Sequence, residues 1–395
     1  MTLELSKVTQ QITQLGELAA QRAQRVQQTV PNIIRYLIEY AADAELREVV
    51  DSAVRAGWSG AVPANEPLDG AYAPDRLPEH VTLVAADGSQ IYPDRHGLAL
   101  YYALNLGGIV LRLGSGEAPT IESEPALCFE DELLLDDQDN VIASQLINAR
   151  RTVQELKTLA RLACAEPHTS PVVALMDGNI ALRVKQESIP AREGQALQDD
   201  YMAQLNHLRE AEVVVGSFIT RPSATSVVRL MHLATECPRD RITEYVKNRP
   251  RPFEGVNDTP VFAAYLKVGE RSAIFKQTSQ WSKPYEEAGH AIHFFYVNVS
   301  TPERETLVRI ELPEWVADKP DRVALLHAAV IDQCGITSEP YPYVLTRADE
   351  LAVITNREKA ALDELIAAEM LNHNLSALPS EKAATKTLAR YGKHH

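Results

Sequence analysis

The sequence predicts an α/β protein: a mixed β-sheet core flanked by helices, with a helical extension before it and further helices closing the chain. Three observations predict it. A β-branched run, VTLVAADGSQIYP, breaks a helical opening near residue 80. Two more strand-like runs follow at once, and helices and apolar strands then alternate. Helical periodicity returns after residue 319. Apolar residues at three- and four-residue spacing mark helices, whereas short β-branched runs bounded by turn residues mark strands.

Residues 3–57 read as helices, with Ile33, Ile34, Leu37, Ile38 and Tyr40 at helical spacing, and end in the loop WSGAVPANEPLDGAYAPDRLPEH. VTLVAADGSQIYP is a strand that stops at an Asp-Gly turn, and LALYYALNLGG and GIVLRLG supply the next two strands of a meander. After the acidic loop FEDELLLDDQDN the spacing predicts a helix over 143–165, the strand PVVALMDGNI, a helix over 194–209, the strand EVVVGSFI and a helix over 224–235. Three strands, helix, strand, helix, strand, helix is the element order of a ribonuclease H-like core. VFAAYL, SAIFKQ, HAIHFFYVNVS and LVRIELP are further strands that extend the sheet or build a second one. Two helices, 319–333 and 343–371, close the chain before the tail SEKAATKTLARYGKHH. The expected organisation is a helical region and loop over 1–77, the main domain over 78–372 and a mobile tail over 373–395.

With 395 residues and no Gly/Ser/Pro-rich linker, the chain calls for one large core with helical additions. Its 45% hydrophobic and 24% charged residues exclude wholesale disorder. The opening MTLELSKVTQQITQLGELAAQRAQR lacks an apolar stretch suited to a signal peptide or membrane span, so a cytoplasmic protein without a membrane partner is expected. The four cysteines form no CxxC or zinc-type spacing and read as reduced thiols. A net charge of −15 excludes a polycationic coat for nucleic acid. It leaves room for a local basic strip: Arg239, Arg241, Lys247, Arg249 and Arg251 in CPRDRITEYVKNRPRP form one, or else a solvated loop. No GxxxxGK[ST] and no GxGxxG after a strand is present, which argues against P-loop and dinucleotide sites.

Two strands end alike, VAADGS at Asp87 and ALMDGN at Asp177. On neighbouring strands these carboxylates converge, and two close carboxylates need a proton or a shared cation between them. Asp-Gly is also a common turn pair, and a single instance would mean no more than that. Glu155, in ARRTVQELKTLARLA, joins the pair only if its helix turns it toward the sheet; otherwise it is one solvated helical Glu among many. In EPYPYVLTRADELAVI, Tyr341 precedes Pro342, a residue suited to a first helical turn. Asp349 then falls beside the apolar stripe of Leu345 and Ala352, or at its exposed edge. Arg221, after EVVVGSFI, and Lys185, beyond Asp177, are candidates for phosphate contact. Trp281 and Trp315 are either base-stacking or core residues.

In this order, VAADGS, the helical Glu, ALMDGN, EVVVGSFITRPS, FFYVNVSTPERETLVRIELPEW and YPYVLTRADELAVI resemble the NurA nucleases, over residues 80–365. The resemblance implies a manganese-dependent nuclease, acting on single-stranded DNA and on 5′ ends of duplex DNA. It implies a homodimer that works with the hexameric ATPase HerA in processing DNA breaks. Position by position it assigns metal binding to Asp87 and Asp177 and points to Glu155, with Glu130 and Glu132 as alternatives. Tyr341 matches the family's Tyr before Pro, and Asp349 stands where the family usually carries His. That departure bears on metal preference and pH profile, since imidazole binds manganese or shuttles a proton whereas a carboxylate is a hard-oxygen ligand.

The expected chemistry is two-metal phosphodiester hydrolysis with Mn2+, or Mg2+ as the alternative. One ion is held by Asp87 and Asp177, and a second is shared with Glu155 or Asp349. The competing readings are a degenerate adaptor that binds DNA or the ATPase, and an actin-like phosphotransferase, since such kinases also use Asp-Gly strand tips.

Overall fold

The computed structural model describes residues 4–375 apart from 96, 98, 168, 185–187, 249 and 251. Lys185, Arg249, Arg251 and the expected tail from residue 376 onward therefore lie outside the described residues. The chain is mixed α/β and divides into two compact units. One comprises Met1–Leu77, Gly178–Ala181 and Gly216–Pro340; the other comprises Pro78–Asp177, Leu182–Val215 and Tyr341–His395.

In chain order, the first unit opens with α1 (Thr9–Glu39), α2 (Ala44–Arg55), β1 (Gly60–Pro63) and β2 (Ala71–Tyr72). The expected helical region breaks where Asp43 starts α2 by accepting hydrogen bonds from Glu45 N (2.8 Å) and Leu46 N (3.2 Å). Val30, Ile33 and Leu37, one stripe of α1, are buried in a core with Val50 and Ala53 of α2.

The second unit follows with β3 (Val81–Ile91), β4 (Tyr102–Leu113), β5 (Thr120–Cys128), α3 (Asp131–Leu134), α4 (Ser144–Cys164), β6 (Val172–Asp177) and α5 (Ala191–Glu210). β3, β4 and β5 form an antiparallel meander, and β6 pairs with β3 in parallel. The order is β5-β4-β3-β6, with β7 (Val214–Thr220) next in line, so its first residues lie beside β6. This is the strand arrangement of a ribonuclease H-like core.

The meander corrects three expectations. LALYYALNLGG and GIVLRLG are one strand, β4, because Gly107 and Gly108 stay within the ladder. The third strand is TIESEPALC, mostly exposed and carrying the charged Glu122 and Glu124, as suits a sheet edge. Asp87-Gly88 is likewise no turn: β3 runs on to Ile91, and Asp87 pairs with Gly107.

The chain then returns to the first unit with α6 (Ser226–Glu236), α7 (Ile242–Asn248), α8 (Asp258–Tyr265), β8 (Arg271–Ser272), β9 (Phe275–Thr278), α9 (Lys283–Glu287), β10 (Ile292–Asn298), β11 (Leu307–Pro313), α10 (Glu314–Ala317) and α11 (Pro320–Cys334). Its strands run β1-β9-β10-β11-β7. VFAAYL, expected as a strand, is helical α8, starting after Asn257. A short apolar run has no period that separates the two states, and here Val261 and Phe262 face the core. The Asp258 carboxylate, fully buried, accepts from Val227 N and Val228 N at the start of α6 and from the Tyr296 hydroxyl at 2.8 Å.

Back in the second unit, the expected helix over 343–371 is two helices, α12 (Tyr343–Ala352) and α13 (Asn356–Asn372). Thr355 and Glu358 form a reciprocal capping box that starts the new helix. Among the described residues no helix is long and apolar enough to cross a membrane.

Candidate active site

All five residues expected in the site, Asp87, Glu155, Asp177, Tyr341 and Asp349, belong to the second unit. Parallel pairing of β3 and β6 sets Ala85 against Leu175. Asp87 and Asp177 each lie two residues further along. Side chains alternate with period two, so the two carboxylates project from the same face of adjacent strands. After Asp177 the chain turns through Gly178, whose φ of 78° is one that L side chains rarely adopt. One Asp-Gly pair is thus a turn, and the other is not.

The face that carries Asp87 also receives α12. A Cβ at Gly107 would stand 2.5 Å from the Ala348 carbonyl oxygen and 2.6 Å from Ala352 N, so only glycine lets this helix lie so close. Carbonyls at its C-terminal end are satisfied from the sheet: Asn105 Nδ2 donates to Leu351 O (3.1 Å) and Ala352 O (2.9 Å), and the Ser89 hydroxyl donates to Ala352 O. Seated there, α12 brings Asp349 into a side-chain hydrogen bond with Asp87. Tyr341, just before α12, hydrogen-bonds the Asp177 carboxylate.

Glu155 arrives on α4, on the opposite face, where the missing side chain of Gly88 makes room. A Cβ there would be 2.8 Å from Glu155 Oε1 and 3.1 Å from Arg151 Cγ. Arg151, one turn earlier, pairs with Glu155 (Nε to Oε1, 2.9 Å) and donates to Gln90 Oε1 at 2.8 Å. Arg151 and the non-turn role of Gly88 escaped the sequence reading. Their available signal was the i,i+4 Arg-Glu spacing in ARRTVQEL.

Electrostatics bind these groups together. Burial pushes the Asp87 carboxyl up to about 6, opposed by the Gly88 amide donating at 2.8 Å and reinforced by Asp349 and Asp177. Burial likewise pushes Glu155 up to about 7; Arg151 opposes the shift, and Asp87 and Asp177 add to it. Burial, then the charge and hydrogen bond of Asp177, raises the Tyr341 phenol well above its ordinary value, so it stays a hydrogen-bond donor at neutral pH.

Whether this constellation suits a metal ion can be read from its donors. Among the described residues, no three His, Cys, Asp or Glu side chains stand in an arrangement that could hold an ion as placed. The Asp87 and Asp349 carboxyl groups instead face each other within hydrogen-bonding reach. Glu155 Oε1 is buried and receives no well-formed hydrogen bond, although the guanidinium of Arg151 stands beside it. Hard carboxylate oxygens gathered so closely repel one another, and a divalent cation among them would relieve that repulsion.

The remaining candidates lie elsewhere. Arg221, exposed and with φ of 48°, lines a cavity of about 760 Å³ in the first unit with Ser223, Asn257 and Arg304. Glu130 and Glu132 are exposed, at and just after the cap of α3. Trp281 and Trp315 are half-buried, the latter donating to His290 Nδ1 at 3.1 Å. In the basic strip, Arg239, Arg241 and Lys247 are exposed; Arg239 pairs with Glu45, and Arg241 with Asp240 at 3.6 Å.

Comparison with known proteins matches the NurA domain over residues 81–354, well over half of the chain. No curated protein matches. Among solved structures, the NurA nuclease from Sulfolobus solfataricus is similar at 12% identity and a TM-score of 0.48, covering 90% of this chain and 97% of that one. A type 1 RNase H with the type 2 active-site motif matches at 14% identity and a TM-score of 0.22, covering 40% and 72%. Endonuclease V from Ciona intestinalis, solved with a DNA 24mer, matches at 11% identity and a TM-score of 0.30, covering 82% and 96%.

Proposed function

This chain belongs to the NurA family, and from that premise we propose that it is a divalent-metal-dependent deoxyribonuclease. In this reading it cuts single-stranded DNA internally and digests from 5′ ends. It acts in the cytoplasm on double-strand breaks, as a homodimer with a HerA-type hexameric ATPase. The observation that carries the chemical part is the meeting of Asp87, Asp177 and Asp349 on one face of β3 and β6, with Glu155 reaching the same strand through the gap at Gly88. Such a concentration of carboxylates is costly unless something positive occupies it.

Asp87 and Asp177 would hold the metal, with Asp349 and Glu155 completing its oxygen ligands. Bound there, one or two ions of manganese, or of magnesium, supply activation of a water and stabilisation of the leaving oxygen. The protein's own groups do the positioning. The hydrogen bond from Tyr341 orients Asp177, Arg151 restrains Glu155, and the rigid ladder of β3 fixes Asp87. Asp349 replaces the imidazole expected from the family resemblance by another hard-oxygen donor, which keeps the metal-binding reading intact.

The test is cleavage of end-labelled single- and double-stranded DNA with manganese, magnesium or EDTA, comparing the wild type with Asp87→Ala and Asp177→Ala. Manganese-dependent cutting that is lost in both variants supports the reading. A wild type that is inert alone and with its ATPase, yet binds DNA or the ATPase, overturns it in favour of a degenerate adaptor.

A further inference from the structure

Two cavities in the first unit share a wall. One, of about 330 Å³, is lined by Trp58, His232 and Tyr245; the other, of about 280 Å³, by Thr225, Ser226 and Ser279. Ser59, Arg229 and Gln280 line both. Joined, they fall within the range of about 300–1,000 Å³ usual for small-ligand sites. Although the chain carries 54 acidic residues, no described residue lining either cavity is Asp or Glu. In a protein of net charge −15, a carboxylate-free pocket with an arginine at its waist selects for an anion.

The two halves differ in chemistry. Trp58 lies across Gly60, where a Cβ would come within 2.4 Å of the indole, so glycine fixes the ring's place. His232 hydrogen-bonds the Tyr245 hydroxyl, and burial lowers the pKa of its imidazole, opposed by the charge of Glu236, which does not itself line the cavity. This half is walled by aromatic rings, with the Trp58 indole largely buried behind them and polar ring atoms at the edges. The other half offers hydroxyls and amides. Arg229, exposed at its end and tethered by Nη1 to the Ser59 carbonyl at 3.3 Å, serves both. Tyr245 and Val246 come from the segment that also displays Arg241 and Lys247 at the surface.

We propose that this bipartite pocket binds a nucleotide, its base among Trp58, His232 and Tyr245 and its phosphate on Arg229 beside the hydroxyl-lined half. Aromatic faces accept any base by stacking, and guanidinium is the side chain best matched to phosphate oxygens. The nucleotide is either free or one unit of a single strand, and the two sources share this chemistry. The site lies wholly in the first unit and does not depend on the nuclease reading.

The experiment follows tryptophan fluorescence of the full chain in EDTA, so that cleavage plays no part, during titration with dAMP, deoxyadenosine, inorganic phosphate or a 5′-phosphorylated oligodeoxynucleotide. Saturable dAMP binding is expected, weakened about tenfold or more by Arg229→Ala, since a hydrogen bond to a charged group is lost. That variant should bind deoxyadenosine as the wild type does, whereas Tyr245→Ala should weaken both ligands; melting curves establish that the variants are folded. Competition by the oligodeoxynucleotide assigns the site to a strand, and its failure to compete assigns it to a free nucleotide. Absence of saturable binding by both dAMP and the oligodeoxynucleotide, or equal dAMP affinity in wild type and folded Arg229→Ala, overturns the proposal.

Discussion

Gly88 and Glu155 occupy each other's space: a methyl group on residue 88 would lie 2.8 Å from the Glu155 carboxylate oxygen. The glycine is required by this approach from α4, for β3 passes through it without a turn. The obstructing atoms belong to the flexible Glu155 and Arg151 side chains, which can move aside. Gly88→Ala should therefore cost little stability, about 1 kcal/mol, while displacing the Glu155 carboxylate. In the proposed nuclease, the expected result is a loss of cleavage of about tenfold or more with a nearly unchanged melting temperature. An equal loss of both would mean that Glu155 is merely packed.

Gly107→Ala should behave in the opposite way. Here the added Cβ meets backbone atoms of α12 at 2.5 and 2.6 Å, and only movement of the whole helix relieves the overlap. Destabilisation of about 1–3 kcal/mol is expected from such overpacking, measured as a lowered denaturant midpoint at constant slope. Because Asp349 rides on α12, cleavage should fall as well.

Asp349→His tests the departure from the family pattern. An imidazole suits manganese better than magnesium, whereas a carboxylate serves both. The variant should retain cleavage with manganese and lose a larger share of it with magnesium, so the ratio of the two rates should rise. A ratio equal to that of the wild type would remove Asp349 from the metal's ligands.

His327 makes stability pH-dependent. It is buried, its Nε2 lies 2.8 Å from the Gly269 carbonyl oxygen, and burial lowers its pKa to about 4 from an ordinary 6.5. Between those values the unfolded chain binds a proton that the folded chain does not, so stability from this group is full above pH 6.5 and is lost as pH falls toward 4. Between pH 7 and pH 5 the loss is on the order of 2 kcal/mol, to be read from urea denaturation at those two pH values. His327→Gln should flatten that dependence; an unchanged slope would show that other groups set it.

Period and composition made most of the elements legible. α4, β6, α5, β7 and α6 fall close to where apolar spacing places them, because a buried helix stripe or strand face must be apolar whatever it packs against. Where local signals were ambiguous, the reading failed. VFAAYL carries no period long enough to separate helix from strand, and the glycines of β4 resembled a break although their purpose is contact with α12 and α4.

By itself the sequence determined which residues could carry chemistry: two aspartates after apolar strands, a helical glutamate, and a Tyr-Pro start to a late helix. Only the tertiary structure decided how they meet. Asp87 and Asp177 share a face because β6 pairs in parallel with β3, a long-range register that no local pattern encodes. Glu155 lies against β3 at the gap left by Gly88, whereas Glu130 and Glu132 are exposed at α3, and Asp349 is brought to Asp87 by the seat that Gly107, Ser89 and Asn105 make for α12. Chemistry resides in residue types, which a sequence displays directly. Convergence resides in contacts between distant segments, and these exist only once the chain has folded.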